Sequence, residues 1–261
     1  MTTGEPAVRV RDLTVTYGTE VALRDVTLDI CGGCITCILG PSGCGKSTLM
    51  KTMLGMVTPQ SGRVTMLGRH IEEMERKELS AFLGNVGVTF QHGALFGSRT
   101  AGENVAAPLR SRTELDEDTI RSIVEVKLAL VGMEEQLYSY PAELSGGQQK
   151  RVAIARALAL DPELVFFDEP SSGLDPVTSE SLDALIQELN RSLGATFVIV
   201  THEVHSALRI SDRIVFLDDG EVRESGTVEE VRHSTDAKVQ QFIRIRGDEA
   251  RKTDSISQGG R

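Results

Sequence analysis

The run GPSGCGKST at residues 40–48 has the pattern G-x4-G-K-[ST], a spacing suited to holding a chain of phosphates. Gly40, Gly43 and Gly45 let backbone N–H groups curl around anionic oxygens without Cβ clashes, with Pro41, Ser42 and Cys44 filling the turn. Lys46 adds a point charge beside the β- and γ-phosphates. Ser47, followed by Thr48, offers a hydroxyl to Mg²⁺. A second group of chemical residues ends the run LVFFDE at 164–169. Four apolar residues there read as a buried strand that delivers Asp168 and Glu169 to its C-terminal end, where ligands bind in open α/β sheets. Asp168 is expected to hold Mg²⁺, and Glu169 to orient or deprotonate an attacking water. A third group, LSGGQ at 144–148, pairs a good helix N-cap, Ser145, with Gly146 and Gly147, whose N–H groups are open to an anion.

The elements that must position these groups follow from periodicity. Residues 8–17 and 21–30 alternate apolar and polar, as half-buried antiparallel strands do. Residues 35–39, 85–90, 164–168 and 195–201 read as further strands, with helices at 46–56, 147–159, 177–193 and 203–210. That alternation predicts an α/β fold with a largely parallel sheet covered on both faces. The stretch 100–160 lacks a strand pattern and is expected to be a helical subdomain.

With 38 acidic against 28 basic residues the net charge is −10, which argues against a broad nucleic-acid surface. No run approaches the ~20 apolar residues of a membrane-spanning helix, and the N-terminus lacks the apolar core of a secretory signal. The chain is therefore expected to reach a membrane only through a partner.

Cys31, Cys34 and Cys37 have a spacing that could wrap an iron–sulfur cluster. Cys34 and Cys37 fall on opposite faces of a strand period, however, and Cys44 lies in the phosphate loop, so neither a cluster nor a disulfide is expected. At a helix N-terminus beside Lys46, Cys44 is expected to have a lowered thiol pKa.

The three motifs, in this order, resemble the nucleotide-binding subunit of ABC transporters, over about residues 7–245. The resemblance implies a P-loop NTPase core with a parallel sheet, an N-terminal antiparallel β-subdomain and an inserted helical subdomain. The corresponding bounds are a core of 7–90 and 161–226, a helical subdomain of 91–160, a C-terminal helical extension of 227–246 and a disordered tail of 247–261. It implies ATP and Mg²⁺ as cofactors. Tyr17 is expected to stack on adenine, Gln91 to sit near Mg²⁺ and the water, and His202 to contact the γ-phosphate. In this family two subunits pair head to tail, so Ser145, Gly146, Gly147 and Gln148 are expected to close over the ATP held by a second copy, with Asp175 reaching across the dimer. His70, His92, His205 and His233 match nothing and read as structural or surface residues.

The apolar segment FQHGALFGSRTAGENVAAPL (90–109) leaves Gln91 directly, and the resemblance makes it the groove for a cytoplasmic helix of an integral membrane permease, with Leu95, Phe96 and Val105 giving contact area. It is similar to the ATPases of Mla/MCE-type lipid transporters, which implies a peripheral subunit on the cytoplasmic face of the inner membrane. An MCE-type lipid-binding protein is then expected in the complex. STDAKVQQFI (234–243) is similar to the extension that docks on the companion ATPase in that subgroup, through Val239, Phe242 and Ile243. Another cargo, amino acid or lipoprotein, and a soluble Suf-type assembly ATPase are the rival readings.

Overall fold

The computed structural model describes residues 5–91 and 93–244. Its elements run, in chain order, β1 (Val8–Tyr17), β2 (Glu20–Ile30), β3 (Ile35–Leu39), α1 (Lys46–Met53), β4 (Ser61–Met66), β5 (Arg69–His70), α2 (Arg76–Phe82), β6 (Val86–Thr89), α3 (Ala101–Arg112), α4 (Glu117–Leu130), α5 (Gly146–Ala157), β7 (Leu164–Asp168), α6 (Pro176–Leu193), β8 (Thr196–Thr201), α7 (Val204–Ile210), β9 (Arg213–Asp218), β10 (Glu221–Thr227) and α8 (Val228–Arg232). A last helical stretch covers 237–244. Two compact units form, one from described residues up to 79 and from 196 onward, the other from 80–195. The expected helical subdomain spanned 91–160; the second unit also takes in β6, β7 and α6.

In the first unit, β2-β1-β4-β5 form an antiparallel sheet. The alternation that announces β1 puts Val8, Val10, Leu13 and Val15 inside. The jump from Val10 to Leu13 is a bulge at Asp12, whose φ is +50° and whose N–H donates to Thr27 Oγ1 at 2.9 Å. The second sheet element of this unit is β3, buried at all five positions. It pairs in parallel with β8 and β9, Cys37 lying opposite both Ile199 and Ile214. β10 returns antiparallel to β9 through Asp219 and Gly220, both at positive φ, the Asp-Gly hairpin turn. Neither β9 nor β10 was among the strands read from periodicity. Helix α1 ends at Met53, short of residue 56, and Gly55 follows at φ +66°.

In the second unit β6 and β7 pair in parallel, Val86 with Leu164 through Thr89 with Phe167. Phe166 and Phe167 are fully buried, each contributing on the order of 1.5–3 kcal/mol of apolar burial. Helix α3 packs on α4 and α5. Its N-cap Thr100 and Glu103 form a capping box, and Asp116 caps α4 by accepting from Thr119 N–H.

The cysteine expectation needs correcting. Cys31 and Cys34 are disulfide-bonded across the Gly32-Gly33 turn between β2 and β3, with Cα atoms 5.7 Å apart, within the span a disulfide bridges. The tight turn, with Gly33 at φ +71°, brings together thiols that strand periodicity alone would keep apart. Cys37 and Cys44 take no part in that disulfide and are buried. The C-terminal extension, expected to dock on a companion ATPase, packs in part on its own chain. Val239 is fully buried and Phe242 stands edge-on to Phe216 of its own chain at 5.3 Å. Lys238 donates to Asp218 at 2.6 Å and Asp219 at 2.9 Å. Val239 is thus used within the protomer, while Phe242 and Ile243 keep part of their surface exposed. His92, residues 245–246 and the tail 247–261 lie outside the described residues.

Candidate functional site

The phosphate loop grows out of β3. After five buried strand residues the chain turns through Gly40–Gly45 and enters α1 at Lys46. Gly43 and Gly45 hold φ of +81° and +105°, a region in which a side chain would strain the backbone. Two glycines are also fixed by space. A Cβ on Gly40 would lie 2.0 Å from Leu217 O and 2.9 Å from Cys44 Sγ, and one on Gly45 would lie 2.7 Å from Ala22 O. Lys46 is buried, and its Nζ donates to Gly40 O (2.9 Å) and Pro41 O (2.8 Å), so the ammonium is held over the loop.

Beside this loop is a cavity of about 420 Å³, lined by Tyr17, Glu20, Val21, Ala22, Gly43, Gly45, Lys46, Ser47, Thr48, Asp219 and Gly220. It brings together Tyr17, the glycines, Lys46 and the Ser47–Thr48 hydroxyls as the sequence led one to expect. Tyr17 is half exposed, its ring free to meet a planar base. The combination of a cationic phosphate cradle, an aromatic wall and a hydroxyl at the helix start suits a nucleotide with Mg²⁺, whose preferred donors are hard oxygens such as Ser47 supplies. Gly40, Pro41, Ser42 and Cys44 shape the loop without lining the cavity. His202, just after β8, is partly buried with Nε2 3.6 Å from Glu203 Oε1.

Cys44 departs from expectation. Burial pushes its thiol pKa up, more than neighbouring Lys46 pulls it down. Cys44 as a residue is only 6% exposed, and the cost of charging a thiol at that depth outweighs the pull of the lysine.

The second unit carries the remaining residues. Asp168 closes β7, and Glu169 follows almost fully buried at φ +49°, a conformation that a non-glycine residue keeps only where its surroundings hold it. Ser145 caps α5 as its residue type predicts. Its Oγ accepts from Gln148 N–H, and Gln148 Oε1 accepts from Ser145 N–H, a capping box that engages the Gln148 amide. Ser145 and Gly146 are exposed at this helix start. Gly147 is required by packing, since a Cβ there would stand 2.6 Å from Thr178 Cγ2 on α6. Asp175 caps α6, accepting from Thr178 N–H at 3.1 Å and Thr178 Oγ1 at 2.5 Å. Those bonds lower its pKa and keep it ionised.

Three side chains that sequence reading passed over organise the 91–100 loop. Fully buried Asn104 accepts from Phe96 N–H at 2.8 Å and turns its Nδ2 to Phe96 O, Arg99 O and Thr100 O at 3.2, 3.1 and 2.9 Å. Arg156 on α5 donates to Gly93 O and Ala94 O, both at 2.7 Å, and lies 5.8 Å from the Phe96 ring centroid. Lys150, also on α5, donates to Gln91 O and to Glu169 O. All three hold backbone oxygens, which carry no residue-type signature.

The 101–106 stretch is mostly core. Ala101, Asn104, Val105 and Ala106 are buried, so Val105 gives no docking area, correcting the sequence reading. The surface there belongs to Phe96, half exposed with Arg99 4.7 Å over its ring, and to a cavity of about 440 Å³ that also involves Leu83, Val88, Pro108, Arg112 and Leu160.

Fold and phosphate cradle together define a P-loop ATPase. The chain belongs to the ABC transporter family, whose model matches residues 23–172. It binds and hydrolyses ATP as the ATP-binding component of such a transporter. Among its relatives is an intermembrane phospholipid transport system ATP-binding protein, MlaF of Haemophilus influenzae, 39% identical over 241 residues, covering 92% of this chain and 91% of that protein. A probable ribonucleotide transport ATP-binding protein, mkl of Mycobacterium leprae, is 42% identical over 237 residues, covering 91% of this chain and 68% of that one. Among solved structures, the dimeric post-hydrolysis state of the ATP-binding cassette MJ0796 bound to ADP and Pi superposes with a TM-score of 0.78 at 35% identity, covering 85% of this chain and 98% of that one. For cbiO1 of Clostridium perfringens, part of the transporter complex cbiONQ, the TM-score is 0.82 at 30% identity, covering 93% and 96%.

Proposed function

We propose that this chain is the ATPase of a transporter that moves phospholipid between membranes, working as a homodimer at the cytoplasmic face of the inner membrane with an integral permease and an MCE-type lipid-binding protein. The observation that carries the cargo is the near full-length match to MlaF. Among the described residues no helix is long and apolar enough to cross a membrane, consistent with a peripheral role. The exposed Phe96 and the adjoining cavity supply an apolar surface for a permease helix, rimmed by Arg99, Arg112 and Arg156.

In this reading Tyr17 stacks on the base, the loop N–H groups and Lys46 hold the phosphates, and Ser145, Gly146 and Gly147 present donors to the nucleotide of the second copy. Glu169 orients the attacking water, with Gln91 and His202 on the γ-phosphate side. Mg²⁺, held by Ser47, Gln91 and Asp168, would neutralise charge that develops on the phosphate oxygens. The match to mkl favours a second reading with the same ATPase and a nucleotide cargo.

Affinity purification from detergent-solubilised membranes, with mass spectrometry of proteins and bound small molecules, separates these. A permease, an MCE-type protein and phospholipid are expected. A permease with bound nucleotide and no lipid supports the second reading, and soluble scaffold proteins alone overturn both. Phe96→Arg should abolish recovery of the permease while leaving the chain folded. Undiminished recovery would place the docking surface elsewhere.

A further inference from the structure

Lys150 lies on the solvent-side start of α5, five residues after the Ser145 cap, and its ammonium reaches two loops far apart in sequence. It donates to the carbonyl of Gln91 and, at 3.1 Å, to the carbonyl of Glu169. The Glu169 carbonyl also accepts from Ser172 N–H at 3.3 Å, which closes the turn after β7. Glu169 itself is held at φ +49°, a conformation that costs a non-glycine residue free energy and needs its surroundings to hold it. Gln91 begins the loop whose later carbonyls, at Gly93 and Ala94, are held by Arg156 two turns further along the same helix. One helix thus fixes the start and the middle of the 91–100 loop and the residue that follows β7.

We propose that Lys150 is a positioning residue for hydrolysis: it ties the Gln91 loop, the Glu169 turn and α5 into one body, so that Gln91 and Glu169 are set together by the helix that begins at Ser145. The proposal rests on the reading of Glu169 and Gln91 as the groups that handle the attacking water. Both acceptors are main-chain oxygens, so the link depends on the side chain at 150 alone and is indifferent to the identities of residues 91 and 169. Half-buried, the ammonium is partly stripped of water, which lowers its pKa, while the carboxylates of Asp168 and Glu169 work in the opposite direction. Charge-assisted bonds in such surroundings are stronger and shorter than neutral ones. A helix movement at α5, as when its N-terminus closes on the nucleotide of a second copy, would be felt at once by the catalytic turn and by the surface around Phe96.

The test uses the full chain and ATP. Lys150→Met keeps the aliphatic stem and removes the donor; Lys150→Arg keeps the charge and can span two carbonyls. Lys150→Met should lower kcat by on the order of tenfold to a hundredfold, the scale of a small misplacement of catalytic groups, with KM within about twofold. ATP affinity, measured by equilibrium binding with Glu169→Gln also present, should not change, and Lys150→Arg should restore most of kcat. Hydrogen exchange of residues 93–97 and 170–174 should quicken together in Lys150→Met and not in Lys150→Arg. A kcat within twofold of the parent overturns the proposal, as does a loss of kcat and ATP affinity in parallel that Lys150→Arg fails to repair. Glu169→Gln alone is the control for the underlying reading. If it turns over ATP like the parent, the catalytic assignment falls and takes the proposal with it; if it is inactive, the Lys150 variants decide.

Discussion

Replacing Asn104 gives the sharpest test of how the 91–100 loop is held. Its side chain is fully buried and faces four backbone groups: one N–H on the Oδ1 side and three carbonyls on the Nδ2 side. The amide has two hydrogens, so the three carbonyl contacts share them, and the set amounts to about three full hydrogen bonds. At roughly 1 kcal/mol each, and with some of the released carbonyls able to reach water, Asn104→Ala should cost about 2–4 kcal/mol. Asn104→Asp is the discriminating variant. A carboxylate can still accept from Phe96 N–H but would point its second oxygen at three carbonyl oxygens, so at neutral pH it should be worse than Ala. Burial and those carbonyls raise the folded-state pKa of the new carboxyl, so its variant should gain stability as pH falls. Urea unfolding followed by circular dichroism gives the magnitudes, and exchange of the Phe96 amide reports the loop itself. A loss below about 0.5 kcal/mol for Asn104→Ala, or an Asp variant milder than Ala, would refute the assignment of these bonds.

Other expectations are simpler. Lys46→Ala should abolish ATP binding while leaving the melting profile close to the parent, and retained affinity would remove the loop from the phosphate site. Gly40→Ala should fail to accumulate as folded protein, because the obstacle is the Leu217 carbonyl and not a movable side-chain tip. Gly147→Ala should destabilise by about 1–3 kcal/mol through overpacking, and Thr178→Ser, which removes the clashing methyl, should restore it. Cys44 should react slowly with iodoacetamide at neutral pH, because burial raises its thiol pKa. A group raised in the folded state stabilises fully below its unfolded pKa and loses that contribution as pH climbs through the folded value. Cys44→Ser should therefore lack that part of the parent's alkaline loss of stability, and rapid labelling at pH 7 would contradict the burial argument.

What was legible in the chain was what is local. The phosphate loop could be read because strand, glycines, lysine and helix follow one another within about twenty residues, and the Ser145 cap because capping is decided within four. Burial was less readable: Val105 sits in an apolar, small-residue stretch, and nothing in its spacing says that α3 turns it inward onto α4 and α5. The Cys44 pKa failed for the same reason, a correct local field argument lacking the depth of the sulfur. Asn104, Lys150 and Arg156 escaped notice because their partners are carbonyls, present at every residue. Of these, only Asn104 left any trace, as an amide beside the buried Val105 and Ala106 in the first turns of α3.

The rim of the nucleotide cavity has a debt to the far end of the chain. Asp219 lines that cavity, Asp218 stands next to it, and Lys238 holds both. A shortened expression product ending before residue 238 would keep every nucleotide motif and still present Asp218 and Asp219 without their lysine, near Glu20, to a highly anionic ligand. Such a truncation would bind ATP more weakly and more salt-sensitively, and its enzymology would mimic a defect in the phosphate loop although the loop itself was intact.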